Sequence, residues 1–173
     1  MSVLGRNVEV LGLEDATMYL GRSLSFQEFH EVELKHRLKK AWAKFYALKE
    51  ELCSKSYRLC HRLRLFGSVI TPTVMYSAGT WTMTARREQL LKKTQRQMLR
   101  MMTKIGRKAE CAGRSTSDTS SDGEADNQSE QDVDVLEPFF VWIQRATHIS
   151  EDLARKQGVR DWVDAQRARR NGN

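Results

Sequence analysis

The sequence has few cysteines and no long apolar run. Its three cysteines, Cys53, Cys60 and Cys111, form no CxxC pair, which predicts free thiols in a reducing compartment rather than a disulfide framework or a zinc site. No apolar run approaches the roughly 18 residues of a membrane-spanning helix, and the first ten residues do not resemble a signal peptide. We therefore expect an intracellular protein, nuclear or cytoplasmic, that does not contact a membrane.

Motifs that carry catalysis are missing as well. The sequence contains no GxxxxGKS/T, HExxH, nucleophile elbow or phosphate-binding GxGxxG pattern. Two-metal phosphoryl transfer needs paired carboxylates on a rigid strand or turn. The adjacent acidic pairs, which begin at Glu14, Glu50 and Glu151, do not meet that requirement. We predict a chain that is not an enzyme, with no metal site and no cofactor.

Positive charge is concentrated in one part of the chain. The formal net charge is +7, but residues 28–107 contain 18 Lys and Arg against 6 Asp and Glu. Residues 108–135 reverse this balance, with 2 basic against 8 acidic side chains. A basic block of this kind is typical of proteins that bind nucleic acid.

Helical spacing of apolar residues predicts a bundle over residues 28–107. A first helix, capped by Ser25, carries a heptad-like seam. A second helix is expected to end at Pro72, and Thr84 is expected to cap a third. The seam consists of Leu34, Leu38, Ala41, Phe45, Leu48 and Leu52.

The flanking segments differ from the bundle. Strand-like runs at 8–11 and 18–20 predict a β-hairpin remnant within residues 1–27. The acidic, serine-rich residues 108–135 predict a disordered linker, which either is inert or competes with phosphate for the basic block. Residues 136–173 predict a C-terminal helical segment, with Gly158 ending its first helix, and a basic tail. The predicted fold class is mainly α, a thumb-like helical bundle with this hairpin and this linker.

The third helix has two faces. Leu91, Thr94, Met98, Met101 and Ile105 recur at three- and four-residue steps and predict its buried side. A row of cations recurs at the same steps without an acidic residue among them, so it is either a solvated surface or a phosphate-binding face. The candidate nucleic-acid-binding residues are Lys93, Arg96, Arg100, Lys104 and Arg107 in this row, with Arg62 and Arg64 from the preceding helix.

Five motifs in order resemble the region after the palm of non-LTR (LINE-type) retrotransposon reverse transcriptases. The segments are TMYLGRSLS, EVELKHRLKKAWAKFYALKEEL, RLRLFGSVITPTVMYSAGTWTMT, LLKKTQRQMLRMM and WIQRATHISEDLARKQGVRDW. The family's YLG, V-x-P-x-x-x-Y-G, Trp and QR-x-ML-R motifs match these segments. They fall on Tyr19-Leu20-Gly21, on Val69 with Pro72 and Tyr76, on Trp81, and on Gln95-Arg96 with Met98-Leu99-Arg100. The chain departs from the family near Tyr76, where Ser77 and Ala78 follow instead of glycine.

The resemblance implies a thumb that holds a template–primer duplex. It places Tyr19, Leu20 and Gly21 at a primer-grip-like hairpin, and the basic helices beside the nucleic acid. In that family the fingers and palm, with the metal-binding aspartates, lie upstream. We therefore expect a truncated, non-catalytic module whose partners are RNA or DNA, including an RNA–DNA hybrid, and a separate palm and fingers chain.

A second hypothesis treats the chain as a protein–protein interaction module. In this case the seam from Leu34 to Leu52 pairs with a helix of another chain, and the charge serves solubility. Salt separates the two hypotheses, because phosphate binding weakens steeply as salt rises and apolar helix pairing does not.

Overall fold

The computed structural model describes residues 2–3, 6–7, 12–13, 15–26, 28–110 and 135–172. These residues form a mainly helical bundle with a short antiparallel hairpin near the N-terminus, which confirms the predicted fold class. The prediction of a disordered linker falls on residues of which 111–134 lie outside the described ranges. The helices are α1 (Phe29–Ala47), α2 (Lys49–Cys53), α3 (Leu59–Leu65), α4 (Thr71–Met75), α5 (Ala85–Thr103), α6 (Phe139–Lys156) and α7 (Trp162–Asn171).

The strands form three separate antiparallel pairs. Two-residue strands β1 (Ser2–Val3) and β2 (Arg6–Asn7) pair with each other, and the longer β3 (Ala16–Tyr19) pairs with β4 (Arg22–Ser25). The last pair, β5 (Ala109–Glu110) with β6 (Val135–Leu136), joins the two ends of the segment at 111–134. The described residues on either side of that segment are therefore adjacent in space.

The β3–β4 hairpin differs from the predicted one. Its turn is Leu20 and Gly21, which both have positive φ (47° and 75°), as tight two-residue hairpins require. The expected partner strand at 8–11 lies outside the described residues. Ser25 does not cap α1, because it belongs to β4 and the helix begins at Phe29.

A buried ion pair attaches this hairpin to α1. Arg37 Nε donates to Glu33 Oε1 at 2.7 Å, one turn away on the helix, and both side chains are almost fully buried. Glu33 Oε2 accepts the backbone N–H of Ser23 at 2.6 Å, and Arg37 also donates to the carbonyl of Gly21. A buried charge is tolerated only with such compensation, so hairpin and helix stabilise one another.

The seam of α1 lies inside the core of its own chain. Leu34, Leu38, Ala41, Phe45 and, on α2, Leu52 are buried, as predicted, together with residues of α3, α4 and α5. Pairing of this seam with another chain would require the bundle to open. The hypothesis of an interaction module built on the seam therefore does not fit the fold.

The helical path continues past Pro72, contrary to the prediction. A π-helical turn, Phe66–Ile70, links α3 to α4, and Pro72 lies in the first turn of α4. Backbone N–H groups in the first turn of a helix have no intrahelical acceptor. Proline, which lacks an N–H, is therefore tolerated at this position. The hydroxyl of Thr73 donates to the carbonyl of Val69 at 2.8 Å and strengthens the junction.

The C-terminal helices belong to the same core as the central bundle. Trp162 and Val163 of α7 are fully buried, and the Trp162 ring stacks on Phe66 with centroids 5.8 Å apart. The helix bounds follow the expected signals: Thr84 Oγ1 accepts from the Arg87 N–H at the start of α5, and Gly158, with φ 76°, follows α6. Residues 136–172 thus pack as part of the bundle.

The core makes a stability prediction. Replacing the fully buried Phe45 with alanine should lower the free energy of unfolding by about 3–5 kcal/mol in a urea titration. The matched change Lys44→Ala, at an exposed position of the same helix, should stay within about 0.5 kcal/mol. A Phe45→Ala loss no larger than that of Lys44→Ala would show that the seam does not pack as described.

Candidate nucleic-acid interface

Helix α6 packs antiparallel against the basic side of α5. Arg96 Nε donates to Glu151 Oε1 at 2.6 Å, and one turn further along α5 Arg100 Nη1 donates to Thr147 Oγ1 at 2.8 Å. The two α5 residues rise by four positions while their partners fall by four, so the two helices run side by side in register. Part of the row therefore contacts another helix, which the sequence did not predict.

A groove runs between these two helices. Four of its lining residues are cations of α5, namely Lys92, Lys93, Arg96 and Arg100. Among the residues that the structure describes, Glu151 of α6 is the one acidic side chain that lines it. The row of cations on α5 contains no acidic residue, but Glu151, 55 residues from Arg96 in the sequence, contacts the row in the folded chain. The groove therefore keeps an excess of positive charge after this pairing.

Arg100 is partly buried and does not form an ion pair within the described structure. Its guanidinium is partly buried, and its side-chain hydrogen bond within the described structure goes to a neutral hydroxyl, that of Thr147. Burial first, and then repulsion from Arg96, lower the pKa of Arg100, while Glu151 partly opposes this. A bound anion would remove this electrostatic cost, which makes the position suitable for a phosphate.

The predicted row does not continue along one helix face beyond Arg100. Helix α5 ends at Thr103, and Lys104 adopts a left-handed conformation with φ 49°, which turns its side chain towards the depression lined by Lys49 and Cys53. Arg107 lies beyond the helix, with its guanidinium 5.9 Å from the ring centroid of Phe139. Of the five predicted cations, the structure therefore brings Lys93, Arg96 and Arg100 into the groove.

The two cations predicted on α3 have different surroundings. Arg64 is exposed, whereas Arg62 is buried and donates to the carbonyls of Leu52 and Met102, the second at 2.6 Å. These carbonyls lie near the ends of α2 and α5, where helical C=O groups lack intrahelical partners. Arg62 is therefore a structural cation that joins two helix ends, and the prediction of a nucleic-acid contact there is corrected.

The primer-grip-like residues lie at the surface of the β3–β4 hairpin. Tyr19 and Leu20 are exposed, and Gly21 forms the turn. The hydroxyl of Tyr76 donates to the Leu20 carbonyl at 3.2 Å, and the Arg37 guanidinium stacks 4.3 Å from the Tyr76 ring centroid. The hairpin tip is thus held rigidly against α1 and α4, and no residue of it lines the α5–α6 groove.

Sequence reasoning missed the contribution of α6. Gln144, Thr147, His148 and Glu151 line the groove from that side. Their three- and four-residue spacing is a helical polar stripe, which is visible in the sequence. What the sequence does not show is that this stripe faces the cations of α5.

The described residues contain neither a cluster of metal-ligating side chains nor a helix suited to cross a membrane. Within the described ranges no three His, Cys, Asp or Glu side chains come together as a metal site would require. Cys53 and Cys60 are free thiols, and Cys111 lies outside these ranges. Among the described helices, none combines the length and the apolar character needed to span a bilayer.

Comparisons with known protein families, characterised proteins and solved structures give no match to this chain. The groove is therefore interpreted from its own geometry.

The end of the groove nearest the start of α6 is fixed by Glu137. Its carboxylate accepts two hydrogen bonds from the Arg145 guanidinium, at 2.9 and 2.6 Å, and one from the backbone N–H of Lys108 at 3.2 Å. Arg145 also donates to the carbonyl of Gly106, and the Glu137 N–H donates to the Lys108 carbonyl. This Glu137 clamp ties α6 to the chain that follows α5.

The clamp predicts a pH dependence. Hydrogen bonds from Arg145, and more weakly from the Lys108 backbone, lower the pKa of Glu137 to about 2 from an ordinary 4.5. Because the folded-state pKa is depressed, the stabilisation is present above pH 4.5 and is lost as the pH falls towards 2. The free energies of unfolding of wild type and Glu137→Gln, measured by urea titration, should differ most near neutral pH. The difference should shrink as the pH falls from 4.5 towards 2. A difference that does not change with pH would contradict the clamp.

Proposed function

We propose that this chain is a thumb-like helical module of the LINE reverse transcriptase kind, which binds the phosphate backbone of duplex nucleic acid through the α5–α6 groove. The ligand class is RNA or DNA, including an RNA–DNA hybrid of the template–primer type, which places its activity in the nucleus or cytoplasm. The proposal is for a binding module, not a catalyst. The observation that carries it is the groove itself, lined by four cations and one carboxylate.

The spacing of the cations suits a polyanion. Arg96 and Arg100 are four residues apart on one helix, which is about 6 Å along its axis. Lys92 and Lys93 extend the charged surface by about another turn. Side chains held in this way contact phosphates and position the ligand, but they do not read base sequence. Binding should therefore be largely independent of sequence and strongly dependent on salt.

The resemblance adds support at the QR-x-ML-R motif. Met98 and Leu99 are buried in the core. Gln95 is buried and joins α5 to α7, donating to the Arg160 carbonyl and accepting the Trp162 N–H, each at 2.9 Å. The two arginines of the motif line the groove. The motif thus divides into residues that hold the core together and two arginines that line the groove.

The proposal predicts the effect of removing both groove arginines. Arg96→Gln with Arg100→Gln should weaken binding to RNA–DNA hybrid and to unrelated duplexes alike. The reason is that a protein with fewer cations displaces fewer counterions from the nucleic acid when it binds. The slope of log K against log salt should become shallower by roughly 2. Fluorescence anisotropy at several salt concentrations measures both quantities.

The control removes the same charge elsewhere. Lys40→Gln with Lys44→Gln changes two exposed cations with the same spacing on α1, and neither residue lines the groove. Binding should be affected much less, and circular dichroism should be unchanged for both double variants. Equal losses in the two variants would show that the attraction is general, and the groove would not be the site.

The paired carboxylate predicts a gain of affinity. Glu151→Gln removes an acidic side chain from the groove and frees Arg96 from its ion pair, so binding should tighten at a given salt concentration, because Arg96 no longer has to give up this partner and a repulsive charge near the phosphates is lost. The control is Glu88→Gln, which releases Arg167 from an ion pair outside the groove. Weaker binding of the Glu151→Gln variant than of wild type would count against a phosphate in this groove.

A further inference from the structure

Large apolar side chains are exposed where α6 begins. Phe140 is 67% exposed and Phe139 is 60% exposed, and Leu136 and Val141 beside them are about half exposed. Phe139 contacts the ring of Trp142, with centroids 5.4 Å apart. No aromatic contact of this kind involves Phe140 within the described structure. An exposed phenyl ring without such a neighbour offers a free π face.

The position of Phe140 relates it to the groove. It precedes Gln144 by one helical turn, and Gln144 and Thr147 line the groove from α6. Residues at such spacing share a face of a helix. Phe140 therefore lies on the same face of α6 as these groove residues, about one turn beyond Gln144.

Two arginines lie near neighbours of Phe140 on α6. Thr147, the hydrogen-bond partner of Arg100, is seven residues from Phe140, which is about 10 Å along the helix. The Arg107 guanidinium lies 5.9 Å from the ring centroid of Phe139, the residue next to Phe140. A strand whose phosphates lie on Arg100 and Arg96 would thus bring its next nucleotides to Phe140.

We propose that Phe140 stacks an unpaired base, so that the module recognises a junction between duplex and single strand. The inference rests on the proposed phosphate binding in the groove and adds the class of nucleic acid. A basic groove that ends in an exposed aromatic ring is the combination by which proteins bind single strands, with the backbone held by charge and the bases held by stacking. A closed duplex has no base free to occupy this ring.

The charge around the ring favours a nucleic acid over the apolar surface of another protein. Arg107 lies beside the neighbouring Phe139, and Arg100 lines the groove about two turns along α6, so an apolar protein surface here would bury these cations at a cost. A nucleotide satisfies both requirements, because its base is a flat π surface and its phosphate is an anion.

The experiment compares two ligands, a short duplex with a single-stranded overhang and a covalently closed circular duplex. Phe140→Ala should weaken binding to the overhang duplex by about 5- to 150-fold, the loss typical of one stacked base. Binding to the circular duplex should not change. Phe140→Trp should retain the overhang affinity, whereas Phe140→Leu, which is apolar but has no ring, should not. Tyr57→Ala removes a comparably exposed ring at another surface and should have no effect.

A fluorescent base gives a direct reading of stacking. A 2-aminopurine in the overhang should be quenched on binding to wild type and not on binding to Phe140→Ala. Circular dichroism of each variant should match wild type, since the ring is exposed. Equal overhang affinity for wild type and Phe140→Ala, retention of affinity by Phe140→Leu, or equal losses with both ligands would overturn the inference.

Failure of this inference can be told apart from failure of the proposed function. If the overhang and circular ligands both bind wild type with a steep salt dependence and Phe140→Ala changes neither, only the stacking is wrong. If neither ligand binds with a salt dependence, the groove is not a phosphate site and both proposals fail.

Discussion

The packing of α6 against α5 is the constraint on which the candidate site depends. Leu91, Met98 and Met102 bury one side of α5 in the core, and this fixes the direction in which Arg96 and Arg100 project. Helix α6 then covers part of this second side through Glu151 and Thr147. Without α6 the cations would be a row on a convex surface. With it, they line a concave groove in which their positions are held.

Local patterns predicted the parts of the fold that local forces determine. The α1 seam, the Thr84 cap and the stop at Gly158 follow from helical periodicity, a side-chain hydrogen bond and a positive φ, each of which is encoded within a few residues. The errors concern contacts over long sequence distances. Arg62 looked like a surface cation, but it serves the carbonyl of Met102, 40 residues away. Glu151 contacts Arg96 of the α5 row from 55 residues away. No pattern within a few residues of Arg62 or Arg96 predicts these two contacts.

Two buried carboxylates with several hydrogen bonds each anchor parts of the module to one another. The buried pair of Glu33 and Arg37 holds the hairpin on α1, and the Glu137 clamp holds the start of α6 near the end of α5. The clamp lies beside the β5–β6 pair, which joins the chain after α5 to the chain before α6. The clamp and this strand pair together fix the start of α6 relative to the end of α5. A preformed groove suits backbone recognition, since little ordering is needed on binding.

A nuclear magnetic resonance titration tests the central claim most directly. The backbone amides of a uniformly ¹⁵N-labelled chain would be followed while a short RNA–DNA hybrid is added at low salt. The account predicts that the largest shifts fall on the facing stretches 92–100 and 143–151, that the amides of the exposed Lys39, Lys40 and Lys44 of α1 barely move, and that raising the salt reverses the shifts. Shifts centred on α1, or no salt-sensitive shifts along the α5–α6 groove, would contradict it.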